Sequence, residues 1–296
     1  MISKNYLLNE IKLEFNMKLK AIKDLAQSSD ELLFKEVAHG LNLIIENARC
    51  LESDSIFLAE QGHARGCEIL RRIAEEEAAK VLILLDAIRC DRKEQSTDFS
   101  RQLGYFNDHL AKLIYADCCS FRIRARFREI RTLIDQMRQR YYLEGPEGVE
   151  WIFPNAITHT REKNMYVDYI ESEGIYSWIS PKPIKIVEKT NIIFCRTPSN
   201  VLKLVTALDA AGFTKPDALR VIAFKWRPIK MSEDFPSHKR RELNWETLED
   251  LEKNGLLQEQ AQEVYAAIRD FWLFPLYSID LRVKEVDQSS LRVIQG

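Results

Sequence analysis

Hydrophobic residues recur every three to four positions through most of residues 1–143, and polar residues fill the positions between them. This spacing is typical of amphipathic α-helices. We expect helices over about 4–27, 31–60, 64–90, 101–119 and 121–143. A short turn around Gly62 separates the second helix from the third, so these two should run antiparallel. Residues 1–144 are therefore predicted to form a helical bundle.

The pattern changes after Gly145, where glycine and proline become frequent. Apolar and polar residues alternate over 165–170 and over 175–179, and Gly174 lies between these two segments, which is typical of a β-hairpin. Helical spacing returns over about 198–211, 215–226, 245–254 and 257–272, and residues 277–286 alternate as a late strand would. The chain is therefore predicted to be mainly α, with a small β-hairpin insertion and a helical C-terminal region. Residues 145–296 are expected to pack on the first bundle as one unit.

Polar side chains interrupt the apolar stripes of the two helices predicted at 31–60 and 64–90. Asn47 and Asp54 interrupt the first stripe, and Glu76, Glu77 and Lys80 interrupt the second. An unpaired buried charge costs several kcal/mol, so charges on such a face need partners. An antiparallel hairpin would bring these five side chains together. Alternatively, Glu76 and Lys80 form a surface i,i+4 pair worth about 0.2–0.5 kcal/mol.

His109 lies beside the apolar stripe of the helix predicted at 101–119, on the same edge as Tyr105 and Lys112. Arg101 lies two turns earlier. A histidine that acts near neutral pH, together with cations that hold a phosphate, is what metal-independent RNA cleavage requires. We take His109, Arg101 and Lys112 as candidate catalytic residues, with Asn47, Asp54, Glu76, Glu77, Lys80 and Tyr105 as supporting residues. The alternative is a histidine that only packs at the edge of the bundle.

The helix predicted at 121–143 is the most basic part of the chain. Its candidate nucleic-acid-binding residues are Arg122, Arg124, Arg126, Arg128 and Arg131. A cationic face can follow a nucleic-acid backbone. It can equally be a solvated face that pairs with acidic residues elsewhere in the protein, and the sequence leaves both interpretations open.

The overall composition restricts the remaining choices. The net charge of −2 does not favour a polyanion partner for the whole chain, and no apolar run approaches the length of a membrane span. The six cysteines have no CxxC spacing, which indicates reduced thiols in a cytoplasmic protein. Lys80 occupies the position where a ferritin-like Glu-x-x-His pair would need a ligand. We therefore expect no metal and no cofactor.

Three blocks of the sequence resemble the abortive-infection protein family AbiV, in the expected order. The first is Asn47-Ala48-x-x-Leu51-x-x-Asp54, then Gly62, then Ala74-Glu75-Glu76-Glu77-Ala78-Ala79-Lys80. The second is Phe106-x-x-His109-x-x-Lys112, and the third is Arg161-Glu-Lys-x-x-Tyr166-Val-Asp168 followed by Trp178 and Pro181. The resemblance covers about residues 47–181.

The resemblance implies a HEPN-like helical bundle, a fold of dimeric ribonucleases and of relatives that have lost activity. Their signature is an arginine, four to six residues, then a histidine; residues 102–108 separate Arg101 from His109, so the spacing departs from it. The implied function is an antiphage effector that acts on RNA or translation, as a homodimer. The other hypothesis is a non-catalytic helical protein that binds a phage or host protein.

Overall fold

The computed structural model describes residues 21–119, 125–142, 152–153, 155–162, 165–172, 174–181, 198–258 and 261–287. A 3₁₀ helix, Ala21–Gln27, precedes α1 (Asp30–Glu60), α2 (Ala64–Arg89), α3 (Ser96–Tyr105), α4 (His109–Cys118) and α5 (Phe127–Met137). Later helices are α6 (Ala156–Glu162), α7 (Asn200–Ala210), α8 (Pro216–Trp226), α9 (Ser237–Lys253) and α10 (Gln262–Phe271). The protein is mainly α-helical, as predicted. None of the described helices combines the length and the apolar character that crossing a membrane requires.

The antiparallel pair α1 and α2 lies where the hydrophobic spacing predicts it. The Ser29 hydroxyl accepts a hydrogen bond from Leu32 N at 3.2 Å and so caps the start of α1. Gly62, with φ of 81°, turns the chain between the two helices, and this left-handed conformation favours glycine. The two long helices therefore begin and end where local sequence signals place them.

The helix predicted at 101–119 is two helices, and this prediction was wrong. The chain breaks at Phe106–Asp108, and the Asp108 carboxylate accepts a hydrogen bond from Ala111 N at 2.9 Å. Asp108 therefore caps a new helix, α4, which begins at His109. As a result Arg101 and His109 lie on different helices.

The helix predicted at 121–143 is also shorter than expected. It spans Phe127–Met137, and residues 139–142 form the strand β1 (Gln139–Tyr142). β1 pairs antiparallel with β2 (Ile152–Phe153) and parallel with β5 (Lys284–Asp287). The strand partner comes from the other end of the chain, which a local helical pattern cannot reveal.

Other boundaries differ at the two ends of the chain. Residues 21–27 are 3₁₀ helix, and the rest of the helix predicted at 4–27 lies outside the described residues. α9 starts at Ser237, earlier than predicted, and α10 spans Gln262–Phe271 within the predicted 257–272. The expected hairpin is confirmed as β3 (Asp168–Ser172) and β4 (Ile175–Ile179), with Gly174 at φ of 79° in its turn, but its first strand begins at Asp168 and not at 165.

One cluster of buried side chains runs from α1 to Leu281 and includes residues of both predicted regions. A buried ion pair joins Asp86 and Arg89, both about 1% exposed. The Arg89 guanidinium lies 4.7 Å from the ring centre of Trp226 and 4.3 Å from that of Trp272. These two tryptophans belong to the C-terminal region, so the contact joins that region to α2. A domain division at residue 144 stays a prediction.

Candidate functional site

The Glu76 carboxylate lies between α2, α4 and α6 and contacts three basic side chains. His109 Nδ1 lies 2.7 Å from Glu76 Oε2, and Lys112 Nζ lies 2.9 Å from the same oxygen. Arg161 Nε donates to the other oxygen, Oε1. The Glu76 side chain is only 4% exposed, so these three partners replace the water that would otherwise solvate the carboxylate.

The partners keep Glu76 ionised. Burial by itself raises the pKa of a carboxyl group. Hydrogen bonds from Lys112, His109 and Arg161 outweigh this effect and lower the pKa of Glu76 below its ordinary value. Glu76 is therefore negatively charged at neutral pH and stabilises positive charge on its neighbours.

Two groups approach Nδ1 of His109. The Glu76 carboxylate can only accept a hydrogen bond and is the nearer, at 2.7 Å, which favours a hydrogen on Nδ1; Lys112 Nζ, which can only donate, lies 3.3 Å away. The other ring nitrogen, Nε2, then holds a lone pair when the imidazole is neutral. The His109 side chain is 58% exposed, unlike that of Glu76. The arrangement orients an imidazole that can take a proton from a molecule in solution.

A second carboxylate, Glu77, completes the polar part of the α1–α2 pair. Asn47 Nδ2 donates to Glu77 Oε2 at 3.2 Å, and Lys80 Nζ forms an ion pair with Oε1. Lys80 also lies 5.1 Å from the centre of the Phe106 ring, which precedes α4. The charge of Glu77 is thus matched by Lys80, whereas the charge of Glu76 is shared by Lys112 and Arg161. Among the described ion pairs, Glu76 consequently has one more positively charged partner than its own charge balances.

Other predicted site residues lie apart from this cluster. Asp54 is exposed on α1, and the described contacts do not bring it to Glu76 or Glu77. Arg101 donates to Asp98 Oδ1 at 2.7 Å and to the Tyr277 carbonyl at 2.8 Å. The second contact holds Arg101 against the C-terminal segment. The catalytic role of Arg101 stays a prediction.

Tyr105 also contacts the C-terminal segment. Its hydroxyl accepts a hydrogen bond from Leu281 N at 2.9 Å and donates to the Ile279 carbonyl at 3.3 Å. Burial raises the pKa of Tyr105, with only partial opposition from the Leu281 hydrogen bond. Tyr105 therefore supports the packing of the C-terminal segment against α3.

Two of the predicted nucleic-acid-binding arginines, Arg122 and Arg124, lie outside the described residues. Arg126 is exposed immediately before α5. Arg131 forms an ion pair with Glu233, and Arg128 lies 3.7 Å from Asp234. These contacts favour the interpretation that acidic residues elsewhere partner the basic face. A nucleic-acid role of Arg126, Arg128 and Arg131 stays a prediction.

Sequence reasoning did not assign a role to Arg161, although it lies in the third family block. Residues 77–160 separate it from Glu76, so no local spacing connects the two. Its position in the third family block was the only available signal. The buried Asp86–Arg89 pair was also not predicted, because its i,i+3 spacing is common on helix surfaces.

Comparisons with known proteins agree with the family blocks. No curated protein and no solved structure matches the chain. A family model for AbiV, of the HEPN type, matches residues 36–199, which is more than half of the 296 residues. The matched region includes the whole cluster of Glu76, His109, Lys112 and Arg161. The chain therefore belongs to the AbiV family of HEPN-type proteins.

Proposed function

We propose that this protein is a cytoplasmic abortive-infection effector that acts against phage by cleaving RNA without a metal ion. The family assignment suggests antiphage defence. The observation that carries the chemistry is the pair of His109 and Glu76, with Nδ1 and Oε2 2.7 Å apart and the ring partly exposed. A buried carboxylate that orients an imidazole is a recurrent arrangement for general base catalysis.

In the proposed reaction, the 2′-hydroxyl of a ribose attacks the adjacent phosphorus atom. His109 Nε2 accepts the hydroxyl proton while the 2′-oxygen–phosphorus bond forms and the bond from phosphorus to the 5′-oxygen breaks. The 5′-oxygen leaves with a proton from water or from the imidazolium. Glu76 stabilises the imidazolium through Nδ1–H, and Lys112 Nζ adds positive charge 3.3 Å from Nδ1. The products are a 2′,3′-cyclic phosphate and a 5′-hydroxyl.

The proposal includes a homodimer, which the family resemblance implies, and a phage or host protein as activator. The proposed reaction does not use Arg101, whose Nη2 donates to Asp98 and to the Tyr277 carbonyl; a catalytic role for Arg101 stays a prediction. The positive charge that the reaction requires is available within the cluster around Glu76.

A cleavage assay in the presence of a chelator tests this proposal. We expect the purified full-length protein to cut single-stranded RNA in EDTA and to leave 2′,3′-cyclic phosphate ends, because His109 supplies the base. A matched DNA strand should stay intact, since it lacks the 2′-hydroxyl. Cleavage that requires added divalent metal, or equal cleavage of DNA, would contradict the proposal.

The second candidate function, a non-catalytic interaction protein, is favoured by a different surface. The β3–β4 hairpin exposes large apolar side chains, including Tyr176 at 66% and Trp178 at 73%. Tyr169 stacks on Tyr176 with ring centres 6.0 Å apart and lies 5.0 Å from Trp178. Clustered exposed aromatic residues are enriched at protein interfaces.

The variant Trp178→Ala separates the two functions. If binding alone provides protection, Trp178→Ala should abolish phage protection in the host, because the hairpin loses its largest contact residue. Phe224→Ala is the matched control, since Phe224 is an 86% exposed aromatic residue of α8 and does not belong to the hairpin. Plaque counts measure the result. If Trp178→Ala protects as well as Phe224→Ala does, the hairpin-binding alternative is wrong.

A further inference from the structure

Helix α6 brings one side chain, Arg161, into the cluster around Glu76. The Arg161 side chain is 16% exposed, and its Nε donates to Glu76 Oε1. His109 and Lys112 both contact the opposite oxygen, Oε2. The three basic residues therefore contact both oxygens of the carboxylate. Arg161 belongs to α6, whereas His109 and Lys112 belong to α4.

The start of α6 is held by a buried asparagine. Asn155 Nδ2 donates to the Met137 carbonyl at 2.7 Å and to the Gln139 carbonyl at 2.9 Å. Asn155 Oδ1 accepts from Ile157 N at 3.1 Å and from Thr158 N at 3.2 Å. One side chain thus joins the first turn of α6 to the end of α5 and the start of β1. The direction in which α6 presents Arg161 depends on this joint.

We propose that Arg161 is a phosphate-binding residue of this site and that Asn155 positions it. The inference rests on the proposed function, in which an RNA phosphate enters the cluster. A guanidinium has five N–H donors in a planar fork, and the contact with Glu76 uses the one on Nε. The four donors on Nη1 and Nη2 can bind two oxygens of one phosphate at once.

The charges of the cluster support the same ligand. Glu76 contributes one negative charge, while Lys112 and Arg161 contribute two positive charges. Glu77 and Lys80 cancel each other beside it. A phosphodiester carries one negative charge and would neutralise the surplus. Phosphate bound by Arg161 would also lie near His109, because both side chains contact the same carboxylate.

Asn155 is assigned a positioning role because none of its contacts involves the cluster itself. Asp at this position would lose both donors to the Met137 and Gln139 carbonyls, and Ala would lose all four hydrogen bonds. In either case α6 would lose the joint that directs it. The effect on phosphate binding should therefore pass entirely through Arg161.

Phosphate binding can be measured at His109 without any RNA cleavage. The full-length protein, labelled with ¹³C at histidine rings, is titrated with inorganic phosphate, and the His109 ring signals are followed by NMR. We expect a saturating shift in the wild type. Arg161→Ala should weaken the apparent affinity about tenfold or more, as one lost charge-assisted contact predicts. Arg161→Lys, which retains the charge without the fork, should fall between the two.

A double-variant cycle tests the role of Asn155. Asn155→Ala should weaken phosphate binding in the wild type and have no further effect in the Arg161→Ala background, since it acts through that residue. Thr160→Ala is the control on the exposed face of α6 and should bind as the wild type does. Equal losses from Asn155→Ala in both backgrounds would overturn the positioning role.

The outcomes for Arg161 are separable from those for RNA cleavage. Unchanged phosphate affinity in a folded Arg161→Ala protein, or no shift of His109 in the wild type, overturns the inference. If phosphate binds through Arg161 and the wild type does not cleave RNA in EDTA, the ribonuclease proposal fails and the phosphate site stands. Thermal unfolding of each variant shows that a loss of affinity is not a loss of fold.

Discussion

His109→Ala is expected to lower the rate of RNA cleavage by about 10²–10⁴-fold, the range that a general acid or base contributes. The variant removes Nε2, the proposed proton acceptor, and leaves Glu76 bound to Lys112 and Arg161. The buried carboxylate keeps two of its partners, so the fold should persist. Single-turnover cleavage of a labelled RNA measures the rate, and growth after induced expression measures toxicity.

The matched control for this prediction is His238→Ala. His238 is an exposed histidine in the first turn of α9 and has no assigned role. It should cleave RNA at the wild-type rate, and both variants should unfold at temperatures close to that of the wild type. A folded His109→Ala protein that remains fully toxic would end the ribonuclease interpretation.

Asp86→Ala is expected to give the largest loss of stability, about 3–5 kcal/mol, which is the usual cost of breaking a buried ion pair. Asp86 forms an ion pair with Arg89, accepts from the Tyr115 hydroxyl at 2.6 Å and accepts from Leu276 N at 2.7 Å. Its removal leaves a guanidinium about 1% exposed without its carboxylate. Equilibrium unfolding in urea measures the free energy of unfolding.

Asp217→Ala is the control for the buried pair. Asp217 and Arg220 form an i,i+3 ion pair on α8, as Asp86 and Arg89 do on α2, but their side chains are 66% and 61% exposed. Exposed pairs contribute about 0–1 kcal/mol, since water and salt screen them. A cost for Asp86→Ala no larger than that for Asp217→Ala would show that Asp86 does not join the C-terminal region to α2.

Much of the fold was predictable because long helices carry strong local signals. The boundaries of α1 and α2 follow from the Ser29 cap, the Gly62 turn and the spacing of apolar residues. The β3–β4 hairpin follows from alternation around Gly174. The break between α3 and α4 was missed, although Asn107-Asp108 is a suitable start signal, because apolar spacing continued through it.

The candidate site was predicted in part. Periodicity indicated that Glu76, Glu77 and Lys80 interrupt an apolar face, and the structure buries the Glu76 carboxylate as that pattern requires. The partners were harder to predict. Lys80 pairs with Glu77, while Glu76 contacts Lys112 across the bundle. Along one helix, Lys80 is correctly spaced to pair with either Glu76 (i,i+4) or Glu77 (i,i+3). The basic residues of the neighbouring helix decide which pair forms.

The sequence by itself determined the helical class, the α1–α2 pair and the hairpin, because each depends on residues that lie close together in the chain. It also determined the family, through blocks whose order along the chain is sufficient. Tertiary structure decided which side chains meet. It brought His109 and Arg161 to one carboxylate, turned Arg101 toward Tyr277, and paired β1 with β5. These contacts join residues tens to more than a hundred positions apart. Their geometry depends on how whole helices pack, which no local spacing of residues contains.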